Sequence, residues 1–265
     1  MIYGVWGKVK STKSTLGLTF PKPMAYLEFD IGGYERAARY LTKQGKLDAD
    51  QVDHKLYPMP MQEGATRGIK VDPKVPLSGY AELYYQFLKD FEAACHDPKV
   101  ATITVDTGSQ YYELVRLAYL QELQEKQLEG WKSAKKDTGE LRTSLQAIEY
   151  AEPYARMRSQ VYLAKGSGKE LVMVNHAKDV YVQQVNDKGK LESVQNGDIV
   201  QGGWAKYHEE CDIVIHTWVE MTPTECIPHA KIDPTVPCGH MLELTGVNLP
   251  EPSYDGLMQL MEIYK

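Results

Sequence analysis

One stretch near the start of the chain, Gly7-Lys8-Val9-Lys10-Ser11-Thr12-Lys13-Ser14-Thr15, constrains the fold more than any other. It reads G-x-x-x-x-G-K-S with Thr12 in the place of the second glycine, which is the pattern of a phosphate-binding loop. The apolar run Ile2 to Trp6 leads in as a strand, and Ser14 to Phe20 suits two turns of helix stopped by Pro21 and Pro23. Strand, loop and helix in that order aim backbone N–H groups at an anion; Lys13 reaches its outer phosphates and Ser14 can hold Mg²⁺. Gly7, Lys8, Ser11, Thr12, Lys13, Ser14 and Thr15 are therefore the candidate binding residues. A second register, using Gly4 with Lys10-Ser11, leaves no glycine directly after the strand. At Thr12 a β-branched side chain narrows the backbone angles open beside a phosphate.

The rest of the chain alternates strands and helices. Ala25 to Ile31 reads as a strand running into Gly32-Gly33, with Glu28 and Asp30 on one face, and Tyr34 to Gln44 as a short helix. Acidic groups at a strand's C-terminal end sit where open α/β sheets bind ligands. The stretch 55–76 is rich in Pro, Gly and Met and reads as a long loop or flap. Helical spacing returns from Tyr80 to Ala94, and Val100 to Asp106 is an apolar, β-branched strand ending on an acid. Such a carboxylate, beside a phosphate loop, is a second metal-holding group with Ser14.

Ser109 to Leu128 is helical; Gly130 to Thr143, with Lys132, Lys135, Lys136 and Arg142, reads as a mobile basic loop; Leu145 to Ala164 is a second long helical stretch. Glu170 to His176 is a buried strand ending on two polar groups. Val180 to Val185 and Leu191 to Val194 flank Asn186-Asp187-Lys188-Gly189 as a hairpin, an insertion over 178–203, and Asn196-Gly197 is a second turn signal. Cys211 to Trp218 is a further core strand and Tyr254 to Tyr264 a terminal helix. The expected fold is α/β, a single domain over 1–265 with a mostly parallel central sheet and a late β elaboration.

A net charge of −6 argues against coating nucleic acid by bulk charge, and leaves room for a local basic groove. No leader-like or membrane-spanning apolar run stands out, and four cysteines in 265 residues are no secreted framework, so the expected compartment is the cytoplasm. Cys226 with His229 and Cys238 with His240 could supply four zinc ligands, but the second pair is spaced too tightly for the usual structural sites, and zinc is not expected.

A phosphate loop followed by strands ending near Asp30, at Asp106 and at Asn175-His176 resembles the RecA-like ATPase core. The pieces "KSTLGLTFPKP", "LEFDIGG", "TITVDTGS", "LVMVNHAKD" and "LTGVNLPEPSYDGLMQLM" make the chain similar to bacteriophage RecA-like ATPases of the single-strand annealing or recombination kind. The resemblance implies ATP and Mg²⁺ as cofactors, with Lys13 on the β- and γ-phosphates and Ser14 and Asp106 on the metal. It gives Asp30 the carboxylate that orients the attacking water, and His176 the γ-phosphate-sensing position. It further implies single-stranded DNA as a partner, met by Lys132, Lys135, Lys136, Arg142, Lys178 and Tyr181. A homo-oligomeric ring or filament follows, in which a neighbour donates a cation, Lys231. The other expectation is a nucleotide-gated DNA- or protein-binding module with little hydrolysis.

Overall fold

The computed structural model describes residues 1–60, 71–135, 139–185 and 190–264. Strand β1 (Ile2–Gly7) is buried along its whole length and lies mid-sheet. Around it run β2 (Met24–Glu28), β3 (Val52–Leu56), β4 (Thr102–Asp106), β5 (Glu170–Val185), β6 (Leu191–Gln201), β7 (Ile213–Met221) and β8 (Cys226–Ile232). The order is β3-β2-β4-β5-β1-β7-β8, with β6 paired only to β5. Pairings among β1, β2, β3, β4, β5 and β7 are parallel; β8 is antiparallel to β7 and β6 to β5. The expected class, α/β with a mostly parallel central sheet, is the one observed.

Burial on both faces explains the near-continuous apolar strands. Tyr3 and Val5 of β1 face one core with Leu16, Phe20, Tyr26, Leu41 and Leu257, covered by α1 (Lys13–Gly17), α2 (Gly33–Lys43) and, near the C-terminus, Tyr254–Ile263. Ile2 faces the other core, where Phe29, Phe87, Phe91, Tyr111 and Met157 pack beneath α3 (Tyr80–His96), α4 (Gly108–Ser133) and α5 (Ala151–Gly166). A short α6 (Tyr207–Glu210) and the terminal helix, α7 (Tyr254–Ile263), complete the set.

Two elements leave the sheet at the C-terminal edge of its strands. Helix α3 descends toward the start of β4, and α4 runs antiparallel to it: Tyr111 meets Phe87, while Gln121 accepts hydrogen bonds from the Tyr80 and Ala81 N–H groups nearer the start of α3. Helix α4 therefore rises away from the sheet for roughly 39 Å, at 1.5 Å per residue, and α5 returns beside it, with Arg156 bound to Glu122. Strand β5 likewise runs on past His176 and carries β6 with it.

Several sequence expectations change here. Helix α4 continues to Ser133, so Lys132 lies on a helix and not in a loop. The stretch around Arg142 is pinned: Leu141 is buried, the Gln124 amide donates to the Arg142 carbonyl, and Arg142 pairs with Glu149. Lys136 and the turn Asn186 to Gly189 lie outside the described residues. Asn196-Gly197 is a bulge inside β6 and not a hairpin turn, because the register jumps between Asp179 and Tyr181 and the Asn196 carboxamide accepts from Asp198 N–H. Strand β3 has no counterpart in the sequence reading. In the stretch 55–76, Lys55 and Leu56 belong to β3 and not to a loop, while the described residues 57–60 and 71–76 form no helix or strand. Among the described residues, no helix is long and apolar enough to cross a membrane.

Candidate phosphate-binding site

The loop between β1 and α1 is fixed at both ends. A Cβ on Gly7 would fall 2.3 Å from the Thr217 carbonyl oxygen and 2.5 Å from Ser11 Oγ, so only glycine lets the loop start this close to β7. Ser11 Oγ and Thr217 Oγ1 share a hydrogen bond of 2.8 Å. Of the two registers, Lys13 opens α1, while Lys10 stands in the loop at φ 64°. Thr12 is held at φ 65°, in the left-handed region the missing glycine would adopt freely. Lys13 is 5% exposed, and its Nζ donates to the Lys8 carbonyl at 2.7 Å, bridging the loop.

The loop forms one wall of a cavity of about 470 Å³, lined also by Asp30, Gly33, Arg36, Asp106, Thr107 and His176. Asp106, at the end of β4, is 1% exposed. Its Oδ2 accepts a hydrogen bond from the Tyr26 phenol, and its Oδ1 is buried with no partner among the described residues. Burial pushes the Asp106 carboxyl up to about 6, against the pull of Ser14, Tyr26 and Lys13 toward the ionised form. Burial lowers the Lys13 ammonium, opposed by Asp106 and Asp30. Burial and the Lys13 charge lower His176, whose Nδ1 is buried without a partner among the described residues.

The strand before Gly32 ends earlier than its sequence suggests. Strand β2 stops at Glu28 because the Asp106 carbonyl takes the N–H groups of both Phe29 and Asp30. Asp30 thus leaves the strand and lines the cavity, while Glu28 is buried and already engaged. Its Oε1 accepts from Tyr34 N–H at 2.9 Å and its Oε2 meets His54 Nε2 at 2.7 Å.

The structure brings Lys13, Ser14, Asp30, Asp106 and His176 to one cavity. It leaves Lys231 on β8, its Nζ 5.6 Å from the Trp218 ring centroid and outside that lining. Lys178 and Tyr181 stand on the hairpin, where Tyr181 is 62% exposed, and Lys132 and Lys135 stand at the far end of α4. Sequence reasoning did not single out Arg36, Tyr26 or Thr217. For Tyr26 and Thr217 the signal was present: each sits on a strand beside the loop or Asp106. His229 pairs with Glu220, and among the described residues no group of three or more His, Cys, Asp or Glu could hold a metal ion.

No protein-family model and no curated protein sequence matches the chain. Solved structures do. A RadB recombinase is 13% identical, covering 87% of this chain and 79% of its own, with a TM-score of 0.43. A KaiC-like protein from the hyperthermophilic archaeon Pyrococcus horikoshii is 8% identical, covering 87% and 77%, with a TM-score of 0.40. Likeness this distant bears on no residue and no activity. The chain's own features are the phosphate-type loop on β1 and, beside it, β5, β4 and β2 in that order, with His176, Asp106 and Glu28 at the C-terminal edge of the sheet.

Proposed function

We propose that the chain binds ATP with Mg²⁺ and hydrolyses it, and couples that cycle to single-stranded DNA in recombination, annealing or replication. The observation that carries this reading is the buried, unpartnered Oδ1 of Asp106 in a cavity shared with the loop, Lys13 and Ser14. An orphaned carboxylate oxygen is costly without a counter-charge. A cation held with the Ser14 hydroxyl would satisfy it, so the residues present fit a metal–nucleotide pair. When bound, that pair supplies a polarised phosphoryl group open to attack by water.

The chain's own residues then act mainly by position and charge. Lys13 gives up the Lys8 carbonyl for phosphate oxygens. Loop N–H groups hold the remaining oxygens, and Asp30 orients the water and takes its proton. His176, at the point where β5 leaves the sheet, relays the state of the outermost phosphate to the hairpin. The hairpin with Lys178 and Tyr181, and α4 with Lys132 and, just past its end, Lys135, leave the same edge as the cavity; cations beside an exposed ring suit a single strand. A homo-oligomer, with Lys231 offered to a neighbour, completes the reading.

Thr12 favours a second reading, a nucleotide-gated binding module with little turnover, since its left-handed backbone is strained in a β-branched residue. Phosphate release with and without oligo-dT, alongside anisotropy of labelled oligo-dT with ATP analogue, ADP or no nucleotide, separates the two. DNA-stimulated release supports the ATPase. Nucleotide-dependent DNA binding without release supports the gated module. Absence of DNA binding at low salt in all three states removes DNA from both.

A further inference from the structure

The first turn of α2 holds an exposed cation without a side-chain partner among the described residues. Arg36 is the fourth residue of α2, close to N–H groups that already make the surroundings positive, so a guanidinium there is unfavourable unless an anion is near. Among the described residues the Arg36 side chain has neither a hydrogen-bond nor an ion-pair partner, while its N–H donates to the Gly32 carbonyl. Arg36 is exposed, and its side chain lies over the turn before α2. One Nη lies 2.9 Å from the point that a Cβ on Gly32 would occupy, so the side chain folds back over the glycine that precedes its own helix. Gly32 permits this twice, by having no side chain there and by adopting φ 84°.

The fold-back places Arg36 on the wall of the cavity that also holds Lys13, Asp30, Asp106 and His176. Lys10, Lys13 and Arg36 line it against the carboxylates of Asp30 and Asp106, so the lining carries an excess of positive charge. The loop explains Lys13, and the adjacent carboxylates offset it. Neither explains a further cation, Arg36, on a different element.

We infer that Arg36 is a phosphate-binding residue, supplied within the chain, that takes the outer phosphates of a nucleoside triphosphate from α2 while Lys13 takes them from the loop. A guanidinium suits this because its planar fork matches two phosphate oxygens at once. The inference rests on the nucleotide reading above. It also places inside one subunit a charge that the oligomer reading sought from Lys231 of a neighbour.

The test is isothermal titration of ATP, ADP and AMP, each with Mg²⁺, into the wild type, Arg36→Ala and Arg36→Lys. Arg36→Ala is expected to weaken ATP by at least about tenfold, ADP by less and AMP not at all, with Arg36→Lys between wild type and Arg36→Ala. The melting temperature without nucleotide should not fall, since the Arg36 side chain has no partner to lose and an unfavourable charge at the helix start is removed. Unchanged ATP affinity in Arg36→Ala, or an equal loss for all three nucleotides, overturns the role of Arg36 while leaving the nucleotide site standing. Failure of the wild type to bind ATP overturns the nucleotide reading itself.

Discussion

Asp106 makes the apo protein less stable than it could be, and Asp106→Asn should expose the cost. Burial holds the carboxyl at about 6, against an ordinary 3.8. The unfolded chain therefore releases this proton first as pH rises, and folding stability falls between about pH 4 and pH 6, then stays level. At about 1.4 kcal/mol per pH unit, the gap corresponds to about 3 kcal/mol of lost stability at neutral pH. Asparagine keeps the shape and an acceptor for the Tyr26 phenol without the charge. Asp106→Asn should accordingly be more stable than wild type by about 2–3 kcal/mol at pH 8 without nucleotide, with the difference closing by about pH 4. Urea unfolding at several pH values measures it, and Mg²⁺-nucleotide binding should be lost in the same variant. A variant that is no more stable at pH 8, or whose advantage does not shrink as pH falls, refutes the reasoning.

Other perturbations probe the same cavity. Lys13→Ala should keep the fold and weaken ATP by about a hundredfold in titration, the upper range for a charge-assisted contact. Gly7→Ala drives a methyl into the Thr217 carbonyl and should cost about 1–3 kcal/mol or more by chemical unfolding, whereas Gly130→Ala, with open space around it on α4, should stabilise by up to about 1 kcal/mol. Asp30→Asn should keep nucleotide binding and lower turnover by at least about tenfold, while Glu28→Gln, which disturbs the contacts to His54 and Tyr34, should act first on stability. Should Glu28→Gln abolish turnover in a folded protein that Asp30→Asn leaves active, the two carboxylates exchange roles.

The parts of this fold visible in the sequence were those whose signal is local. The loop with its lead-in strand, the apolar strand ending on Asp106 and the buried run to His176 each announce themselves within a few residues, because both faces of a parallel strand must be apolar. Strand β3 did not, since Asp53, His54 and Lys55 give an edge strand a polar face and break the alternation. The basic stretch after Gly130 looked like a loop from composition, but α4 carries Lys132 on, its far end braced by the segment 139–142, where Gln127 bonds the Glu140 carbonyl and the Arg142 N–H. Asn196-Gly197 carries a true turn signal that the register absorbs as a bulge. Arg36 was illegible for another reason: its meaning depends on a fold-back over Gly32 that only the backbone of the turn defines.

Strand β5 has a mechanical consequence. It passes from the centre of the sheet to the hairpin as one strand, so the sheet clamps its first seven residues between β1 and β4 and leaves the remainder as a cantilever. The free portion, nine residues from Ala177 to Val185, is roughly 30 Å long at about 3.3 Å per residue. His176 is the fulcrum, and its N–H is tied to Ser109 Oγ at the root of α4. A tilt of about five degrees at that point sweeps the free end through roughly 2.6 Å over that length. A displacement too small to notice in the cavity is thus geared up into one the size of an atom at the hairpin's far end, with no hinge required.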